Sequence, residues 1–248
     1  MKNWQRVLIP TLVVLVISGI YLVLLWHSRQ DPGPAAQNNQ SQNINKDDLV
    51  VMRAYFPRYF EDTQRLEGTT VWMKNGYAIS YFPYSGDHVD FAKRVGVVPS
   101  NQRLDVKKIV KAALPAEEFD GITGGTQQAL AVFSMPGSEG LYAVPIGFMD
   151  GKDEAYYCDM LFYYDDPHGI YDQWPKDVWA AIDAHQVKPG MSELQTRMAI
   201  GQKMQPHGNT EGERTVIYDQ AGKRWTVRFE NNHATSIQGG NATVAKGE

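Results

Sequence analysis

Asp165-Asp166-Pro167-His168, with Asp159 and Asp172 nearby, is the densest gathering of carboxylates and imidazole in the chain. Carboxylates suit Ca²⁺ or Mg²⁺, and a carboxylate beside a histidine suits a transition metal. The same run also reads as a strand end and a turn, because Asp-Pro initiates turns and Asp side chains cap backbone N–H groups. Neither a D-x-D-x-D-G loop nor an H-E-x-x-H pair is present. Asp165, Asp166 and His168 therefore stand only as weak metal candidates, and no metal is assigned.

Other chemistry has less support. Cys158 is the single thiol, which excludes an intramolecular disulfide framework and a cysteine-rich zinc site. A catalytic cysteine needs a base and an electropositive, accessible setting. Within Tyr157-Cys158-Asp159-Met160-Leu161, read as strand, alternation would bury it. The G-x-S-x-G elbow of serine hydrolases is absent. Gly124-Gly125 and Gly239-Gly240 lack the frame of a phosphate loop, and Glu117-Glu118 reads as a solvated pair in a polar stretch. No catalytic residue and no cofactor is assigned, and the chain reads as a non-enzyme.

Aromatic residues crowd two places. Tyr156, Tyr157, Phe162, Tyr163, Tyr164, Tyr171 and Trp174 form one group, and Trp72, Tyr77, Tyr81, Phe82 and Tyr84 the other. Rings in strands fill a sheet core. Rings left at the surface mark interfaces or sugar platforms, which makes Tyr163, Tyr164, Tyr171 and Trp174 the candidate interaction aromatics.

The elements that would position these groups begin with an attachment. Val7 to Trp26 carries no charge, and a helix of that length spans about 30 Å, the thickness of a bilayer core. Trp4, Tyr21 and Trp26 lie near its ends, where amphipathic rings favour the interface. Lys2 and Arg6 before it favour a cytoplasmic N-terminus. The expectation is a single-pass transmembrane helix over 7–26 in the plasma (inner) membrane, with the body extracytoplasmic. A cleaved signal peptide is the rival reading, but the run exceeds the usual apolar length of one and lacks an A-x-A-like site directly after it. Residues 27–47 are polar, with Pro32, Gly33 and Pro34, and read as a flexible linker reaching roughly 20–25 Å.

From 48 to 170 the pattern is β-rich. Asn75-Gly76 between Thr69–Lys74 and Tyr77–Phe82 predicts a hairpin. The runs 127–135, 141–149 and 154–164 predict a meander, with Pro145 marking an edge or a bulge. Leu104 to Leu114 places Val106, Ile109, Val110 and Ala113 at helical spacing. Gly96 to Asn101 resembles a short SH3 segment, so a small SH3-like barrel is a candidate fold for this portion.

From 171 to 238 the pattern changes to two helices and three strands, followed by a tail over 239–248. Pro175 opens a helix with Val178, Trp179 and Ile182 on its apolar face. Ser192 and Gln195 form a capping box, and Gly201 is placed for a left-handed helix end. Residues 202–212 read as a polar loop, and Asn231-Asn232 as a tight turn. The expected fold class is therefore α+β: a transmembrane helix, a β-rich portion, and a two-helix plus three-stranded antiparallel module.

Gly190-Met191-Ser192 opening a helix, Leu194, Met198 and Gly201 along and after it, and the strand Trp225-Thr226-Val227-Arg228-Phe229 resemble the SmpA/OmlA (BamE-like) outer-membrane lipoprotein domains. The resemblance implies two helices on a three-stranded sheet outside the cytoplasm, acting by protein contact in outer-membrane assembly without chemistry. The chain departs from that family in having an apolar run in place of a lipidated cysteine, and a β-rich portion before the module. Bottom-up, Gly190, Met191, Ser192, Gln195 and Gly201 are structural: turn, helix flank, cap and stop.

Lys+Arg is 24 against 28 Asp+Glu, a net charge of −4, so the basic face of a nucleic-acid binder is missing. Two functions remain. One is a membrane-anchored envelope (periplasmic) protein that works by binding another envelope protein. The other is an extracytoplasmic binder or hydrolase of a small ligand or polysaccharide, using the Asp165-Asp166-His168 region.

Overall fold

The computed structural model describes residues 18, 19, 21, 49–113, 126–151 and 153–240. The chain divides into a unit over 1–42 and a unit over 43–248, and the described body is the second. The transmembrane helix expected over 7–26 is not seen. Apart from Ser18, Gly19 and Tyr21 that run lies outside the described residues, and among the described residues no helix is long and apolar enough to cross a membrane. The 27–47 linker and the tail beyond residue 240 also lie outside them.

The body is mostly β, which corrects the α+β expectation. Among the described residues the helices are short: α1 (Phe60–Thr63), α2 (Cys158–Leu161), α3 (Pro167–Ile170), α4 (Lys176–Asp183) and α5 (Glu193–Ile200). Apart from a 3-10 turn over Gln64–Leu66, the rest of the regular structure in the body is antiparallel sheet. A nine-stranded sheet has the path β3-β2-β7-β6-β5-β1-β9, with β4 added to β2 and β8 added to β7. Its strands are β1 (Thr70–Met73), β2 (Ser80–Ser85), β3 (His88–Val89), β4 (Gly96–Val97), β5 (Arg103–Ala113), β6 (Gln127–Ser134), β7 (Leu141–Asp150), β8 (Asp153–Tyr156) and β9 (Phe162–Tyr163). The path is open at β3 and β9, so the SH3-like barrel is not formed.

The central strands are buried on both faces, which is why they read as continuous apolar runs. On β6, Ala129, Ala131 and Phe133 face one core with Leu104, Val106, Ile109 and Ile146. Leu130 and Val132 face the other, with Phe82, Tyr84 and Val89. The helix expected over 104–114 is strand β5. A bulge between Val106 and Lys108 shifts the alternation, so buried Val106 and Ile109 are three apart and imitate a helical period.

The Asn75-Gly76 hairpin is also corrected. Gly76 has φ +86, but Asn75 lacks the positive φ that an Asn-Gly hairpin turn also needs, and β1 pairs with β5 and β9 while β2 pairs with β7, β3 and β4. The corner serves a longer connection: Lys74 N–H donates to Leu161 O (2.7 Å) and Gly76 N–H to Gly201 O (2.6 Å). The run 154–164 is β8, then α2, then β9, so Cys158 starts a helical turn and does not sit in a strand. Pro145 lies on an interior strand. Partners on that side, β2 at 141–143 and β8 at 147–150, leave a gap at Pro145, and a bulge lies opposite between Ala129 and Leu130, so its missing N–H is tolerated.

The C-terminal sheet has four strands, not three, in the order β10-β11-β12-β13: Lys203–His207, Thr215–Gln220, Lys223–Glu230 and His233–Gly239. The extra strand, β10, comes from the expected polar loop. All of its residues but the half-buried Met204 are exposed, and they include Pro206, as suits an edge. Asn231 and Asn232 both have positive φ and close β12 to β13 through the tight turn their type favours. The apolar faces of α4 and α5 pack on this sheet around Tyr218, Phe229, Ile182, Met191 and Met198, and Tyr163 from β9 joins the same core.

Candidate functional site

The acid–imidazole cluster lies around α2, β9 and α3. Asp166 caps α3: its Oδ1 accepts the His168 backbone N–H at 2.9 Å, and Pro167 follows at the first helical position. The His168 ring is held from three sides. Nδ1 lies 2.9 Å from Asp166 Oδ1, Nε2 lies 3.2 Å from Asp183 Oδ2 on α4, and the ring stacks on Trp179 with centroids 4.0 Å apart. Partial burial pulls the imidazole toward neutrality, but the hydrogen bonds and charges of Asp166 and Asp183 outweigh it and raise its pKa above the ordinary histidine range.

Asp165 turns elsewhere. Its carboxylate pairs with the Arg53 guanidinium, which also donates to Tyr164 O at 3.0 Å. Asp159 turns elsewhere again. It accepts the N–H groups of Tyr55 (2.8 Å) and Phe56 (2.7 Å) and the Tyr164 hydroxyl (2.7 Å). Burial acts to raise its pKa, yet these three donors and the charge of Lys74 hold it below the usual carboxylate range. Lys74 Nζ donates to the Asp159 carbonyl at 2.6 Å, and burial lowers the pKa of that ammonium. Asp172 is exposed in the turn after α3. The structure thus brings His168 to Asp166, and it sends Asp165 and Asp159 to residues 53–56. Among the described residues, no three His, Cys, Asp or Glu side chains gather as a metal-binding group.

The candidate interaction aromatics are core. Tyr163, Tyr164, Tyr171 and Trp174 are all buried. Tyr171 stacks on Trp174 at 4.3 Å, Trp174 meets Trp179 at 5.4 Å, and Tyr163 meets Tyr171 edge-on at 6.5 Å. Tyr164 packs edge-on against Tyr55 at 4.5 Å. With His168 on the outer face of Trp179, the rings form one continuous stack from the nine-stranded sheet to α4. Cys158 is buried too, and burial followed by the Asp159 charge pushes its thiol up to about 12, leaving it inert as a nucleophile.

The helix-start residues form a scaffold. Gly190 takes φ +85. Gln195 N–H donates to Ser192 Oγ (3.1 Å) and Ser192 N–H to Gln195 Oε1 (2.9 Å), closing the capping box. Met191 fills the core. Gly201 differs from expectation: its φ is −88, and a Cβ there would sit 2.3 Å from Arg197 O, so close packing and not handedness requires glycine.

Sequence reasoning missed two features. One is Glu193, buried at the start of α5 and paired with Arg214 (Nη2 2.6 Å, Nε 3.1 Å) while also accepting Gly212 N–H at 2.8 Å. The other is the strap formed by residues 49–59, which precedes α1 and carries Arg53, Tyr55 and Phe56 to the acidic cluster. Its exposed Leu49, Val51, Met52, Phe56 and Tyr59 were a visible signal, an apolar concentration without strand alternation.

No family model matches the chain, and no curated protein or solved structure matches it.

Proposed function

We propose that the chain is an envelope protein held at the inner membrane by its uncharged run over 7–26, with its body on the extracytoplasmic side. It acts by contact with another envelope protein and not by catalysis. The observation that carries this reading is the engagement of Asp159, Asp165, Asp166 and His168 within the acid–imidazole cluster. Asp159 serves the strap, Asp165 serves Arg53, Asp166 caps α3, and both nitrogens of His168 face carboxylates. Neither ring nitrogen of His168 therefore stands free as a general base. The burial of the four candidate aromatics also weighs against a sugar platform built on those rings. The resemblance of Gly190–Gly201 and Trp225–Phe229 to BamE-like domains supports a contact function.

The test is in-membrane crosslinking of the full chain, followed by detergent solubilisation and capture. Recovery of one stoichiometric envelope protein supports the reading. Release of the chain from membranes by carbonate, or turnover of a polysaccharide that a His168→Ala variant loses without loss of folding, overturns it.

A further inference from the structure

The strap presents a set of apolar side chains that the body's own cores do not use. Val51 is 99% exposed and Phe56 76% exposed, with Leu49, Met52 and Tyr59 exposed beside them. Met160, next to the carboxylate that pins the strap, is exposed as well. Phe56 has φ +50, a conformation unfavourable for a bulky L-residue, yet Asp159 fixes its N–H and that of Tyr55 together. The backbone is therefore clamped in a strained turn while the ring stands in water. Strain over-determined by its surroundings is characteristic of functional segments.

Chain length argues for what meets this surface. The uncharged run ends at Trp26 and the strap begins at Leu49. The 22 residues between them allow at most about 80 Å of chain, so the strap stays within reach of whatever surface holds the run. The composition also fits. Tyr and Phe favour the interface, aliphatic side chains insert a few ångströms beneath it, and Arg58 within the strap is exposed. A side chain as exposed as Val51 lies outside any groove and suits a fluid lipid surface.

We propose that the strap inserts Leu49, Val51, Met52, Phe56 and Tyr59 into the headgroup region of the same bilayer, a second, peripheral contact that fixes the orientation of the body. This rests on the membrane attachment proposed above.

The experiment uses the full chain in vesicles of phosphatidylethanolamine and phosphatidylglycerol, with no other protein present. An environment-sensitive dye is placed at Val51→Cys, at Phe56→Cys, and, as a control on the exposed edge strand, at Lys203→Cys. The native thiol, buried and pushed up to about 12, does not compete for the label. Emission at positions 51 and 56 should shift to the blue, be lost to lipid-borne quenchers and resist aqueous iodide, while position 203 stays iodide-accessible. Labels at 51 and 56 that remain open to iodide on carbonate-resistant chain overturn this inference and leave the attachment standing, and the strap's occupant is then a protein. Labels shielded at 51 and 56 on chain that carbonate strips away sustain the strap contact and overturn the attachment. Val51 makes the result independent of any loosening caused by replacing Phe56.

Discussion

The carboxylate of Asp159 holds the backbone N–H of Phe56 at 2.7 Å, across a sequence separation of 103 residues. That bond, with its neighbour to Tyr55, docks the strap onto α2. Asp159→Ala should cost about 2 kcal/mol, in the range of hydrogen bonds to a charged acceptor. Amide exchange at Tyr55 and Phe56 should accelerate far more than exchange in β6. Equal acceleration in both places refutes a docking role.

The same carboxylate sets an acid limit. Its folded pKa is depressed, so its contribution is present above the unfolded value near 3.9 and is lost as pH falls through the lower folded value. Exchange at Tyr55 and Phe56, followed from pH 5 downward, should rise ahead of global unfolding, and Asp159→Asn should abolish that early rise.

His168 carries the opposite dependence. Its folded pKa is raised, so the stabilisation it gains from Asp166 and Asp183 is fully present below the unfolded pKa of about 6.5 and disappears as pH rises through the folded value. His168→Gln should lower the melting temperature more at pH 5.5 than at pH 8.5. A pH-independent difference would show that the ring acts only by stacking on Trp179.

Glu193 and Arg214 offer a test of burial. Removing one partner strands a charge, so Glu193→Ala should cost about 3–5 kcal/mol in urea unfolding. Glu193→Ala combined with Arg214→Leu should recover part of that loss. Additive losses in the double variant would contradict a coupled pair.

Gly201 and Gly190 separate two reasons for glycine. A Cβ at Gly201 meets backbone at 2.3 Å, and one at Gly190, φ +85, meets nothing within 4 Å. Gly190→Ala should cost about 1 kcal/mol from its backbone conformation alone, and Gly201→Ala about 2–3 kcal/mol because Arg197 must move. The reverse order of the two melting temperatures would show that α5 relaxes freely at its end.

Features that depend on near neighbours in sequence were legible. The Ser192–Gln195 box, the Asn231-Asn232 turn and the Asp166 cap each close within three residues, and residue type alone announces them. Features set by distant partners were not. Nothing in Thr69–Phe82 says that Asn75-Gly76 turns toward Gly201 and not back on itself. The bulge at Val106/Lys108 disguised a strand as a helix, because a one-residue slip turns a period of two into a spacing of three. β10 looked like loop because an edge strand facing water carries no apolar alternation to read. In the candidate site, the residue types at 165–168 were visible, but the destinations of their side chains were not. Arg53, Asp183 and Trp179 come from other elements, and those partners turned a suspected reactive cluster into a set of fastenings.

The hydrogen bond from Gly76 to Gly201 ties the nine-stranded sheet to the four-stranded one, and Gln202 adds a second tie by donating to Val97 O at 3.2 Å. With Tyr163 shared into the neighbouring core, the described residues of the two halves are joined through both backbone and core. Cut near residue 170, the N-terminal fragment would expose Tyr163 and the other would lose the lid over its aromatic stack, so the body should be inherited, exchanged and melted as a single piece.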